Sequence, residues 1–156
     1  MYNSPKKIKG RQPKKEKTMN ELKGSEKQIA WAEKIRANFF VVQDERASYL
    51  DVASSKEGVF SRSLEKAKAE AKKDFDDDEK WTSEGFKFEP LWDDFIAFFF
   101  AQDEAKFWID NRESLKEGLS SRFSFLMVCL YLKAVGSANT PKYGLFAEIM
   151  KALENK

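Results

Sequence analysis

Carboxylates are the groups in this chain with the most scope for chemistry, because it contains no histidine and a single cysteine, Cys129. Without an imidazole, Ser-His-Asp and Cys-His catalysis are excluded, along with the commonest general acid and base. The usual zinc and iron sites go with them, since one thiol cannot supply the missing ligands. Cys129 sits in an apolar run, Phe125 to Leu132, and is expected to be a small buried hydrophobe rather than a nucleophile. Asp93, Asp94, Asp103, Glu104 and Asp110 are the remaining candidates, able in principle to hold a divalent cation by oxygen ligation. Acids adjacent on a helix point to different faces, however, and this spacing yields no inward-facing pair.

The run Asp74-Phe75-Asp76-Asp77-Asp78-Glu79 invites comparison with a calcium loop. A loop starting at Asp74 has acids at positions 1, 3 and 5. It then puts Glu79 where the turn needs glycine, and Gly85 where a bidentate glutamate is required. The pattern fails. No Walker-type or GxGxxG phosphate loop is present either. The expectation is a protein that is not an enzyme and carries no metal or cofactor.

Charge is distributed unevenly. The chain carries a net +2, but residues 1–24 hold eight cations against two acids, a net +6. Residues 74–104 hold eleven acids against Lys80 and Lys87, a net −9. The basic pole, Lys6, Lys7, Lys9, Arg11, Lys14, Lys15 and Lys17, suits phosphate by counterion release, and Lys27 and Arg36 extend it into the folded part. Lysine outnumbers arginine there, which favours non-specific phosphate contact over base reading. The acidic pole, Asp74, Asp76, Asp77, Asp78 and Glu79, suits a basic protein, with Phe75 and Trp81 as exposed apolar anchors.

These residues need elements to position them. Residues 1–20 are lysine-rich, contain Pro5, Gly10 and Pro13, and offer little to bury, so they are expected to form a disordered basic tail. Residues 21–156 are expected to form one compact all-α domain of five to seven helices. The first starts at Ser25, with Gln28 completing a capping box. Its core stripe is expected to be Trp31, Ile35, Phe39 and Val42, and it runs to about Ser54 with a break near Val41–Gln43. A turn at 54–58 leads to a second helix from Ser61 or Ser63, carrying Leu64, Ala67 and Ala71 and fraying at Asp74–Glu79. Trp81–Pro90 is expected to be a loop, with an extended piece at 86–88.

After Pro90 the sequence is apolar nearly all round, which predicts a central helix. Asp103 is expected to cap a turn bearing Phe107, Trp108 and Ile109, and Ser114 to open another, broken at Gly118. Phe123–Val135 reads as a buried helix closed by Gly136, with strand as the alternative. Thr140-Pro141 is expected to start the last helix, with a face of Leu145, Ile149 and Leu153. No stretch reaches the roughly 18 apolar residues of a membrane span. The N-terminus lacks the apolar core of a secretory signal, so a cytoplasmic protein is expected.

Two stretches, Leu22-Lys23-Gly24-Ser25-Glu26-Lys27-Gln28-Ile29-Ala30-Trp31-Ala32-Glu33-Lys34-Ile35-Arg36 and Ala105-Lys106-Phe107-Trp108-Ile109-Asp110-Asn111-Arg112, carry a resemblance. They resemble small proteins from bacteria and their phages or mobile elements that share a GSEKQxxWAExIR helix start and a WIDNR-like segment. The resemblance implies that Trp31, Arg36, Trp108 and Arg112 form a shared structural or recognition unit. In it the arginines pair with Glu33 and Asp110 or stack on the tryptophans. The leading expectation is an accessory protein that binds nucleic acid or a nucleoprotein through its basic arm. The alternative is an inhibitor of a host defence nuclease, of the anti-CRISPR kind, using the acidic stretch to mimic phosphate.

Overall fold

A computed structural model of the chain describes residues 21–40 and 57–155, with side chains in the second span from residue 63. The chain enters through a short extended segment in which the Lys23 N–H donates to the Asp103 carbonyl (2.7 Å) and the Ala105 N–H donates to the Lys23 carbonyl (2.8 Å). This parallel bridge between Lys23 and Glu104 is isolated, and no strand forms among the described residues. Helix α1 (Glu26–Phe40) then begins as its sequence dictates. The Gln28 N–H donates to Ser25 Oγ (3.2 Å) and the Ser25 N–H to Gln28 Oε1 (3.1 Å), the reciprocal capping box.

Seven further helices follow among the described residues: α2 (Glu57–Asp76), α3 (Glu79–Ser83), α4 (Phe88–Phe100), α5 (Ala105–Asp110), α6 (Arg112–Leu115), α7 (Leu119–Ala134) and α8 (Leu145–Glu154). They form a single all-α domain. Helix α1 packs along α5, and α2 packs along α7. On α2 the buried positions are Ser63, Ala67, Ala71 and Phe75, one every four residues, and mostly small. Small side chains let two helix backbones approach closely, and Ser120 on α7 also donates to Glu70 on α2 (2.9 Å).

The aromatic run predicted to be central is so. Phe88, Trp92, Phe95, Ile96 and Phe99 of α4 are buried. Phe95 joins two clusters of rings. It lies 5.3 Å from Phe123, which also meets Phe88 and Trp92, and 5.1 Å from Phe99. Phe99 in turn meets Phe39, Phe107 and Trp108. Most of these pairs are tilted or edge-on, as the ring quadrupoles prefer. Cys129 is buried, and burial raises its thiol pKa while Arg122 partly opposes this, which fits an unreactive core thiol.

Several boundaries differ from the sequence expectation. The expected loop at 81–90 shrinks to residues 84–87, where Lys87 is extended; before it, Asp78 Oδ1 accepts the Lys80 N–H (3.1 Å) and caps α3. Residue 88 is already helical, so Pro90 lies in the first turn of α4, where a missing N–H costs nothing. Helix α2 includes Glu57 and Gly58, earlier than Ser61. Glu104, not Asp103, occupies the N-cap of α5; Asp103 instead pairs with Lys23 (3.1 Å). Helix α6 begins at Arg112 rather than Ser114.

Helix α7 is a helix throughout, yet Phe125 and Val128 are exposed on it. The last helix starts at Leu145 behind Gly144 (φ +90°), while the Thr140 hydroxyl donates back to the Ser137 carbonyl (3.1 Å). Its expected face holds, with Leu145 and Ile149 buried and Leu153 packed against the core. Val42, the break at 41–43, the continuation to Ser54 and the tail at 1–20 lie outside the described residues.

Candidate nucleic-acid interface

Of the stripe that periodicity assigns to the core of α1, Phe39 and Ile35 pack inward and Trp31 does not. Trp31 is 48% exposed, whereas Ala32 and Phe39 are buried and Ile29 and Ile35 pack partly against the core. At the Trp31 level Ala32 takes the buried position instead, where α1 seats against α5. At the start of α1 the Gly24 backbone comes so close to α5 that a Cβ would sit 3.2 Å from the Ala105 Cβ. That contact and the Lys23 bridge fasten the start of α1 to α5, and Trp31 faces outward on the helix that follows. An indole is large and apolar, so pattern alone sends it inward.

Arg112 covers the exposed ring. Its guanidinium carbon lies 5.0 Å from the Trp31 centroid, within cation–π range. Arg112 Nη1 also donates to the Ile109 carbonyl at the end of α5 (2.7 Å), which fixes the guanidinium over the indole. Of the two arrangements expected for this arginine, stacking is the one adopted; Asp110 pairs with Lys106 instead. Lys27 is exposed four residues before Trp31 and Lys34 three residues after it, so both flank the ring on one helix face. Beyond Arg112, Lys116 pairs with Glu113 (2.9 Å), and this lysine holds the Glu113 carboxyl below the usual range.

The two stretches quoted above therefore converge: Lys23 bridges Glu104, Gly24 lies on Ala105, and Trp31 lies under Arg112. Their other two members behave differently. Trp108 is fully buried against Phe39, Phe40, Phe99 and Phe107, and its Nε1–H donates to the Gln102 carbonyl (3.2 Å). Arg36 is only partly exposed, and burial lowers its pKa against the opposing charge of Glu33. It is less available to a ligand than Lys27. The arm residues Lys6, Lys7, Lys9, Arg11, Lys14, Lys15 and Lys17 lie outside the described residues.

The acidic pole is differently built from its expectation. Phe75 and Trp81, expected as exposed anchors, are buried, Phe75 against Phe88 and Trp81 against Tyr131. The physical reason is helical: Phe75 continues the every-fourth-residue stripe of α2, and α3 folds Trp81 beneath α7. Asp74, Asp76, Asp77 and Glu79 are exposed and Asp78 partly so. Three of these acids hold lysines, in the pairs Lys72–Asp76 (2.9 Å), Lys73–Asp77 (3.5 Å) and Lys80–Asp78 (3.5 Å). Among the described residues no three acidic or thiol side chains converge as a metal site would need, and no helix is long and apolar enough to cross a membrane.

Compared with protein families, curated proteins and solved structures, the chain matches none. Trp31 provides its own optical handle. The other tryptophans, Trp81, Trp92 and Trp108, are 6%, 4% and 0% exposed. Acrylamide is therefore expected to quench one red-shifted emission component in the native protein, and Trp31→Phe to abolish it. Unchanged quenching in that variant would mean that Trp31 is covered in solution.

Proposed function

We propose that this protein is a non-enzymatic accessory protein of phage or mobile-element type that binds nucleic acid or a nucleoprotein. The observation that carries the proposal is the exposed Trp31 held under Arg112 and flanked by Lys27, on the helix that directly follows the basic arm. Aromatic faces set among cations are what nucleic-acid surfaces need: the cations engage phosphate and the ring engages a base. The arm supplies seven further cations between residues 6 and 17. The inhibitor alternative loses Phe75 and Trp81 as anchors and has its central acids tied to lysines, so we favour the basic surface.

The test is fluorescence anisotropy with labelled DNA and RNA across a salt series, on the full chain and on a variant with Lys6, Lys7, Lys9, Arg11, Lys14, Lys15 and Lys17 all replaced by glutamine. The full chain is expected to bind with a log–log salt slope of up to about −5, as seven phosphate contacts on a single strand imply. The neutralised arm should flatten that slope toward zero. No binding by the full chain at low salt would overturn the proposal.

A further inference from the structure

Resting on that reading, we infer that the ligand is an unpaired strand, one base of which stacks on the part of the Trp31 indole left exposed beside Arg112, while Arg112 and Lys27 hold its phosphates. Three features carry this. First, the indole is half exposed although α1 has a buried face one position away, so solvent access is built into the register. Second, the guanidinium over it is already tethered to the Ile109 carbonyl, so the platform is ordered before any ligand arrives. Third, the ring lies on the open side of a helix, with cations before and after it along the same face. A strand crossing that face meets cation, ring and cation in turn.

A duplex meets this surface poorly. Its bases are stacked on both faces and are released only by unstacking, which is costly. A planar ring has nothing to stack on except at a blunt end. In a single strand every base offers a π-face, so the contact is sequence-tolerant. That tolerance matches an arm richer in lysine than in base-reading arginine. An exposed Trp–Arg pair also suits a protein partner, and the experiment separates the two.

Binding is measured by anisotropy at one low salt concentration, with an oligothymidylate of about 15 nucleotides and a hairpin duplex of the same length. The full-length protein is compared with Trp31→Ala and Trp31→Phe, each first checked for an unchanged melting temperature. The single strand is expected to bind the parent protein about tenfold or more tightly than the duplex. Trp31→Ala should lose about tenfold on the single strand and nothing on the duplex, with Trp31→Phe in between. Addition of the oligothymidylate should quench parent emission and leave the emission of Trp31→Phe unquenched. Equal affinity for both probes with no effect of Trp31→Ala would overturn the inference while leaving arm-driven binding intact. No binding of either probe by the parent would overturn both.

Discussion

Trp108→Ala is expected to destabilise the domain by about 3–5 kcal/mol, the range for emptying a fully buried large aromatic site. The side chain is 0% exposed and its ring lies about 5–6 Å from those of Phe39, Phe40, Phe99 and Phe107. Those rings belong to three elements, α1, α4 and α5, so the cavity cannot close without moving a helix. The Gln102 carbonyl would also lose its indole N–H donor, a partner worth about 1 kcal/mol. Urea unfolding followed by circular dichroism measures the sum. Trp31→Ala in the same assay should change stability by less than about 1 kcal/mol, as at most exposed sites. Similar losses for the two variants would show that the exposure assigned to Trp31 is wrong.

The second large effect is expected at Gly24. Its φ of +148° is a conformation that side chains rarely adopt, and a Cβ there would lie 3.0 Å from Gln28 Oε1 and 3.2 Å from the Ala105 Cβ. Gly24→Val adds backbone strain, overpacking against α5 and disturbance of the capping box. Together these are expected to cost about 3 kcal/mol. Ser25→Ala removes only the cap, for about 1 kcal/mol. If the valine variant were no worse than Ser25→Ala in urea unfolding, the close approach of residue 24 to α5 would not exist in solution. Because that approach fastens the start of α1 to α5, the same variant should also alter the quenching of Trp31.

What was legible in the sequence was local. Ser25 and Gln28 announce a helix start by chemistry that acts over three residues, and they make it. The apolar run after Pro90 had to be central because its aromatic residues cover most of the helix surface, leaving only a narrow face at Asp93 and Ala97 to meet water. Residues Phe123 to Val135 were too many for a typical strand. What was not legible depended on contacts distant in sequence. A stripe through Trp31, Ile35 and Phe39 satisfies helical periodicity as well as the one through Ala32, Ile35 and Phe39 that packs. What separates Trp31 from Ala32 is the packing of α1 on α5, which begins some eighty residues further on.

Asp103 departs from its expected capping role for the same reason: its partner is Lys23, not its own helix. Trp81 belonged to a five-residue helix too short to show periodicity. The candidate site was half visible. Its residues stood in the two quoted stretches, and stacking of an arginine on a tryptophan was one of the arrangements those stretches implied. Which ring, and that it faces outward, needed the fold.

The pairing of α1 with α5 also bears on how the chain is made. Helix α1 leaves the ribosome early, but α5 begins some eighty residues after it. At a synthesis rate of about 5–20 residues per second, roughly 4–16 seconds pass before the two can dock. For most of that interval Phe39 and Phe40, both fully buried in the finished domain, lack the α4 and α5 rings that shelter them. The lysines that precede α1 keep this nascent segment strongly cationic, and like charge on neighbouring chains opposes their association.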